Sequence, residues 1–244
     1  MQLSSAGRSD IGRKRDTNED FHVCVNQRGL YLVADGLGGH VAGNIASETA
    51  ASAFVENLYL NSGESRAEAL RRACRQANRT IQGLTDADDR LWGMGTTLLS
   101  LWLQDGYAAL AHVGDSRAYV YRDQLLQRLT YDHSVVGELA LKRELTPEHA
   151  RQHPHRHVIK RALGVRGCTE PDLLELRVRD GDLFMLCTDG LTAQLGDNEL
   201  AEVICEARGQ LERAAERMIG LANERGGEDN STVVLVDVGG IGER

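Results

Sequence analysis

Three prolines, five cysteines and an aromatic content of 5 % are all that this 244-residue chain has of the residues that stiffen, staple or stack a fold. The cysteines (Cys24, Cys74, Cys168, Cys187 and Cys205) are odd in number and form no Cys-x-x-Cys pair, which excludes a disulfide framework and a zinc knuckle. Cys187, inside an apolar run, reads as a small core residue. Positive charge is short as well. With 28 Lys and Arg against 36 Asp and Glu the net charge is -8, which argues against nucleic acid or an anionic membrane as the main partner. No apolar stretch approaches the roughly 20 residues that span a bilayer, and Met1 to Arg15 lacks a signal-peptide core. No Ser-, Pro- or Gly-rich linker divides the chain. The expectation is one soluble, cytoplasmic domain over 1–244, with nothing that requires more than a monomer.

What is present is a repeated signature, an apolar run that stops at Asp-Gly. It occurs as Leu30-Tyr31-Leu32-Val33-Ala34-Asp35-Gly36 and again as Leu183-Phe184-Met185-Leu186-Cys187-Thr188-Asp189-Gly190. Each reads as a buried strand that delivers a carboxylate to its end. Asp115 follows the run Tyr107 to Val113, and Asp229 stands just before the run Thr232 to Val236. Two carboxylates about 4 Å apart repel by about 4 kcal/mol at an effective dielectric of 20, so acids that converge need protons or cations between them.

Short runs rich in β-formers recur at 21–25, 30–34, 96–103, 107–113, 117–121, 172–178, 183–188 and 232–238. Turn signals such as Gln27-Arg28-Gly29, Gln104-Asp105-Gly106 and Arg122-Asp123-Gln124 separate several of them, which favours antiparallel hairpins. Helical periodicity runs from Ala67 to Leu84, Leu200 to Ala207 and Leu211 to Ala222, with a broader apolar half over 41–60 that includes Val41, Ile45, Phe54, Val55 and Leu58. Helices in two pairs around strands predict two packed sheets with helices outside, an α+β sandwich. A helical flap over about 133–160 interrupts the pattern. Leu139, Leu141 and Leu145 mark a short helix, Thr146-Pro147-Glu148 a helix start, and His149, His153, His155 and His157 make up half of the eight histidines. Alternate residues around Pro154 need not share a face, so a solvated lid is favoured over a metal or phosphate site.

Glu19, Asp20, Asp35, Asp189 and Asp229 offer hard oxygen ligands, which suits Mg²⁺ or Mn²⁺ better than zinc. Two such ions activate water and stabilise an in-line displacement at phosphorus, so phosphoryl hydrolysis is the leading reaction class. Arg15, three positions before Asn18-Glu19-Asp20, can supply the planar fork that grips a phosphate. Taken singly, each Asp-Gly is more often a turn and an acidic triplet more often a solvated loop.

The order of the motifs is what makes them specific. Arg15-Asp16-Thr17-Asn18-Glu19-Asp20, Val33-Ala34-Asp35-Gly36-Leu37-Gly38-Gly39-His40, Met94-Gly95-Thr96-Thr97 and His112-Val113-Gly114-Asp115-Ser116-Arg117 resemble the series of the metal-dependent PP2C (PPM) serine/threonine phosphatases. Leu129-Thr130-Tyr131-Asp132-His133-Ser134, Arg161-Ala162-Leu163-Gly164, Cys187-Thr188-Asp189-Gly190-Leu191-Thr192 and Asp229-Asn230-Ser231-Thr232 continue it, so the resemblance covers roughly 5–238 and is closest to the bacterial branch. It implies an αββα sandwich of two mostly antiparallel sheets with the site at one edge. It also implies two Mn²⁺ or Mg²⁺ ions and a weaker third. Asp35 would bridge the two ions, the Gly36 carbonyl and Glu19 would serve one, and Asp189 with Asp229 the other. Asp20 would act directly or behind a ligand, and Asp115 would help hold the third ion. Arg15 would bind phosphate, and Asn230 would orient Asp229. A metal-activated water would attack phosphorus without a covalent phosphoenzyme.

Two departures stand out. Animal members place a histidine directly after Asp-Gly, where this chain has Leu37, so His40 is either the candidate general acid or a structural loop residue. They also place an acid four positions past Asp189, where this chain has Ala193, which leaves the third ion short of a ligand or served by water or a flap residue. The implied partners are phosphorylated proteins, including a Ser/Thr kinase and its substrates. A phosphoprotein-binding module that has lost catalysis is the alternative, although it would have no reason to keep mutually repelling acids. A two-metal nuclease fits the acids but not the missing basic stripe.

Overall fold

Both faces of the central strands are covered, which is why their apolar runs are continuous rather than alternating. The computed structural model describes all residues except 38–41, 61–62, 146–148, 150–152, 156–157, 168–169, 208 and 241–244. Its strands are β1 (Gln2–Asp10), β2 (Asp20–Val25), β3 (Leu30–Leu37), β4 (Gly95–Thr96), β5 (Leu98–Gln104), β6 (Tyr107–Val113), β7 (Arg117–Arg122), β8 (Leu125–Arg128), β9 (Asp172–Arg177), β10 (Leu183–Cys187) and β11 (Ser231–Gly239). The described helices are α1 (Ala42–Leu58), α2 (Arg66–Ala87), α3 (Val135–Leu141), α4 (Asp189–Gln194), α5 (Asp197–Glu206) and α6 (Leu211–Glu224).

One sheet has the order β1-β11-β10-β7-β8, the other β2-β3-β5-β6-β9 with β4 added to β3, and the pairings are antiparallel. Along β3, Tyr31 and Val33 face Phe184, Leu186, Val234 and Val236 of the other sheet. Leu30, Leu32 and Ala34 face the opposite way, onto Phe54, Leu58 and Leu70 of α1 and α2. On the far side Met185 and Leu235 pack against Leu191, Leu200 and Met218 of α4, α5 and α6. The chain is therefore the expected αββα sandwich.

The three turn signals make the β2/β3, β5/β6 and β7/β8 hairpins. In two of them the tight connection forces left-handed backbone, at Asp105 and Gly106 (φ 53° and 78°) and at Asp123 and Gln124 (φ 52° and 63°). Ser65 starts α2 with a capping box, its Oγ accepting from the Glu68 amide while Glu68 Oε2 accepts from the Ser65 amide.

Three elements were not foreseen. β1 carries little apolar signal because it is an edge strand, yet all nine of its residues pair with β11. β8 is a four-residue edge strand. α4 begins at Asp189 itself, so the second Asp-Gly opens a helix rather than a turn. In α1 the buried face is Ala46, Ser47, Ala50, Phe54 and Leu58, with Ile45 and Val55 only partly covered. Val41 lies outside the described residues, as does the Thr146-Pro147-Glu148 helix start.

Candidate active site

Asp20 opens β2 and stands directly across from Asp35 near the end of β3, because the hairpin register pairs them. Asp115 lies where the chain crosses from β6 in one sheet to β7 in the other, rather than in a hairpin. Asp189 follows β10 and Asp229 precedes β11. The strand ends of the two sheets thus bring these five acids together at one edge of the sandwich.

Asp35 is fixed by its backbone. Its amide donates to Thr97 Oγ1 (2.9 Å), and its carbonyl accepts from the Thr97 amide (2.9 Å) and Thr96 Oγ1 (2.8 Å). Thr97 Oγ1 in turn meets Ser116 Oγ at 2.8 Å, which ties the Asp35 strand to the Asp115 crossing. Gly36 donates to the Glu19 carbonyl (3.1 Å), and a Cβ there would fall 2.2 Å from the Gly43 carbonyl oxygen. Only glycine lets β3 approach α1 this closely.

Asp20 is held from the opposite sheet. Its Oδ2 accepts from Thr188 Oγ1 (2.8 Å) and Thr232 Oγ1 (2.6 Å), while its buried Oδ1 has no hydrogen-bond partner among the described residues. Burial pushes its carboxyl up to about 7 in spite of the two threonines, and Asp189 and Asp229 add repulsion. Burial likewise raises Asp35 well above the usual carboxylate range, followed by repulsion from Asp20, Asp189, Asp115 and Asp229. Asp115 is raised by burial, then by Asp189 and Asp132, and its Oδ1 is also buried without a hydrogen-bond partner among the described residues.

The Glu19 carboxylate lies against the first turn of α1, where a Cβ on Gly43 would come within 2.6 Å of Oε2. A helix N-terminus favours an anion there. Ser47 Oγ donates to the Glu19 carbonyl at 2.6 Å. Arg15 pairs with Asp229 at 2.7 Å, both side chains partly exposed. Asn230 orients Asp229 only through its amide, which donates to Asp229 Oδ1 (2.8 Å). Its side chain does something the sequence did not reveal: Oδ1 accepts from the Glu19 amide (2.8 Å) and Nδ2 donates to the carbonyls of Ile11 (2.9 Å) and Thr17 (3.0 Å). That clamp sets the loop carrying Arg15 and Glu19.

His40 lies outside the described residues, as does His157. His153 and His155 sit on the flap with ring centroids 5.6 Å apart. Among the described residues no three His, Cys, Asp or Glu side chains already form a finished ligand cage. The acids form a repelling cluster with orphaned oxygens, which is the donor chemistry that a hard divalent cation fits. Thr97, Thr188 and Thr232, given no role from sequence, turn out to be the polar supports of Asp35 and Asp20. Their only sequence signal is a hydroxyl close to a strand end, Thr232 inside β11 and Thr97 and Thr188 just past β4 and β10.

A family model for Protein phosphatase 2C matches residues 6–226. Serine/threonine phosphatase stp of Listeria monocytogenes is 39% identical over 238 residues, covering 94% of each chain. The Mycobacterium tuberculosis serine/threonine phosphatase PstP/Ppp superposes with a TM-score of 0.90 at 36% identity, covering 98% of this chain and 99% of that one. The PstP catalytic domain in complex with two manganese ions gives 0.88 at 35% identity, over 98% and 99% of the two chains.

Proposed function

Because the chain belongs to the protein phosphatase 2C family, we propose that the acidic edge of its sandwich is a two-metal centre and assign its residues accordingly. The protein is a metal-dependent serine/threonine protein phosphatase, a phosphoric monoester hydrolase. The observation that carries the residue assignment is the crowding itself. Asp20 and Asp115 are buried and Asp35 is half-buried between them, Asp35 is repelled by Asp20, Asp189, Asp115 and Asp229, and only protons or cations relieve that cost.

In this reading Asp35 would serve both ions, the Gly36 carbonyl and Glu19 would hold one, Asp189 and Asp229 the other, and Asp115 would help hold a weaker third. Asp20 steadies the pair from behind through Thr188 and Thr232. The two manganese ions of the PstP relative support a pair of Mn²⁺ or Mg²⁺ ions here. When bound, such ions lower the pKa of water and neutralise charge on a phosphoryl group. Arg15 moves from Asp229 to grip the substrate phosphate in a bidentate fork. His40 is the assigned proton donor to the departing serine or threonine oxygen.

Substrates are phosphoserine and phosphothreonine in proteins, including a Ser/Thr kinase and its targets, acted on by a monomer in the cytoplasm. Among the described residues no helix is long and apolar enough to cross a membrane. Residues 1–244 act as one domain, with 133–160 as the flap. Asp35→Ala and Asp189→Ala should each reduce hydrolysis of an aryl phosphate by at least about 10³-fold with Mn²⁺ present. Undiminished turnover in either variant would refute the assignment.

A further inference from the structure

The Asp132-His133-Ser134 segment has no part in the assignments above, yet its bonds converge on the crossing that carries Asp115. The Gly114 amide donates to His133 Nδ1 (3.1 Å), and the His133 amide donates back to the Gly114 carbonyl (2.8 Å). Gly114 needs this hold. Its backbone is left-handed (φ 111°), and a Cβ would fall 2.5 Å from Thr97 Cγ2, so glycine is required where it is also least constrained. Because Nδ1 accepts, the ring proton is on Nε2, which stands 3.1 Å from Asp172 Oδ2 without the alignment of a hydrogen bond, while Asp172 Oδ1 is paired with Arg161 at 2.6 Å. The ring is packed on His112, with centroids 4.5 Å apart. Burial lowers the affinity of His133 for a second proton, and Arg161 works in the same direction against Asp172, so Nδ1 stays free to accept. The β6/β9 register sets Asp172 across from His112 and so beside the ring.

We propose that His133 is a positioning residue: through Nδ1 it fixes the Gly114 peptide and thereby aims Asp115 into the acid cluster, while the negative charge of the nearby Asp172 favours the tautomer with its proton on Nε2. This rests on the reading of Asp115 as a metal-site acid, and on no catalytic contact by His133 itself.

The side chains of Asn and Gln separate this role from packing. Asn Oδ1 reaches the place of Nδ1, whereas Gln Oε1 reaches toward Nε2. Calorimetric titration of Mn²⁺ into the substrate-free protein should show the weakest binding event weakened about tenfold in His133→Gln and by less than about threefold in His133→Asn, with the tighter events unchanged. Hydrogen exchange at the Gly114 amide of the metal-free protein should quicken about tenfold in His133→Gln and stay near wild type in His133→Asn. Equal behaviour of the two variants, or no change in His133→Gln, would overturn the proposal. If wild type shows no weak Mn²⁺ event, the reading of Asp115 fails, and Gly114 exchange still decides the role of His133. If His133→Gln does not fold, Asp172→Ala takes its place: Asp172 is 61% exposed, and its loss should quicken Gly114 exchange about threefold, unchanged exchange counting against the proposal.

Discussion

Asp35-Gly36 sits inside the end of β3, and the chain continues as strand through Leu37, whereas Asp189-Gly190 follows β10 and opens α4. Neither copy is the turn that Asp-Gly usually signals. What the two share is contact. A Cβ at 36 would lie 2.2 Å from the Gly43 carbonyl oxygen, and one at 190 would lie 2.0 Å from that of Asn230. In each case the glycine lets a second backbone approach, so that the aspartate before it is carried to the common edge. The partners differ. Gly36 is pressed onto α1, while Gly190 is pressed onto the residue that clamps the Arg15 loop. The repeated signature is thus a rule about close packing, met once by a strand and once by a helix.

Alanine at either glycine is the strongest way to break this comparison. Gly190→Ala and Gly36→Ala should each cost about 3 kcal/mol or more, because the obstructing atom is backbone and cannot swing aside. Urea unfolding of the metal-free variants measures this. A loss under about 1 kcal/mol at either position would mean that the close backbone contact there does not require glycine. The effect of Asn230→Ala should be smaller, about 2 kcal/mol, since it deletes three hydrogen bonds and leaves the Glu19 amide and the carbonyls of Ile11 and Thr17 to find water. Asn230→Asp keeps the acceptor for Glu19 and should fall between alanine and wild type. If Asn230→Ala unfolded at the wild-type urea concentration, the clamp would not be what separates the second copy from the first.

The sandwich was legible because burial on both faces writes continuous apolar runs, and hairpin turns write their own residues. β1 escaped notice because an edge strand with Ser4, Ser5 and Arg8 among its nine residues has neither signal, and only its pairing to β11 makes it a strand. The acids were legible from their place at the ends of runs and from the motif series. Their supports were not: Thr188 and Thr232 reach across from the other sheet, and Asn230 reaches over two hundred residues back along the chain to Glu19. No local pattern encodes contacts of that range. The same holds for His133, which a motif series can place in sequence but cannot set against Gly114.

The smallest expected effect concerns charge at the first copy. Asp35 and its cross-strand neighbour Asp20 are raised in the folded protein, Asp20 from 3.8 to about 7. The native state then binds more protons than the unfolded chain between about pH 4 and pH 7, and stability falls as pH rises through that window. In the presence of EDTA the melting temperature should therefore decline by several degrees from pH 5 to pH 8. Asp35→Asn, relieved of repulsion from four acids, should be flatter with pH and more stable than wild type at pH 8. Added Mn²⁺ should stabilise wild type more at pH 8 than at pH 5, because fewer protons compete for the acids, and do so less in Asp35→Asn. A metal-free wild type that grew steadily more stable toward pH 8 would show that these carboxylates are held apart, and that crowding does not distinguish Asp35 from any other strand-end acid.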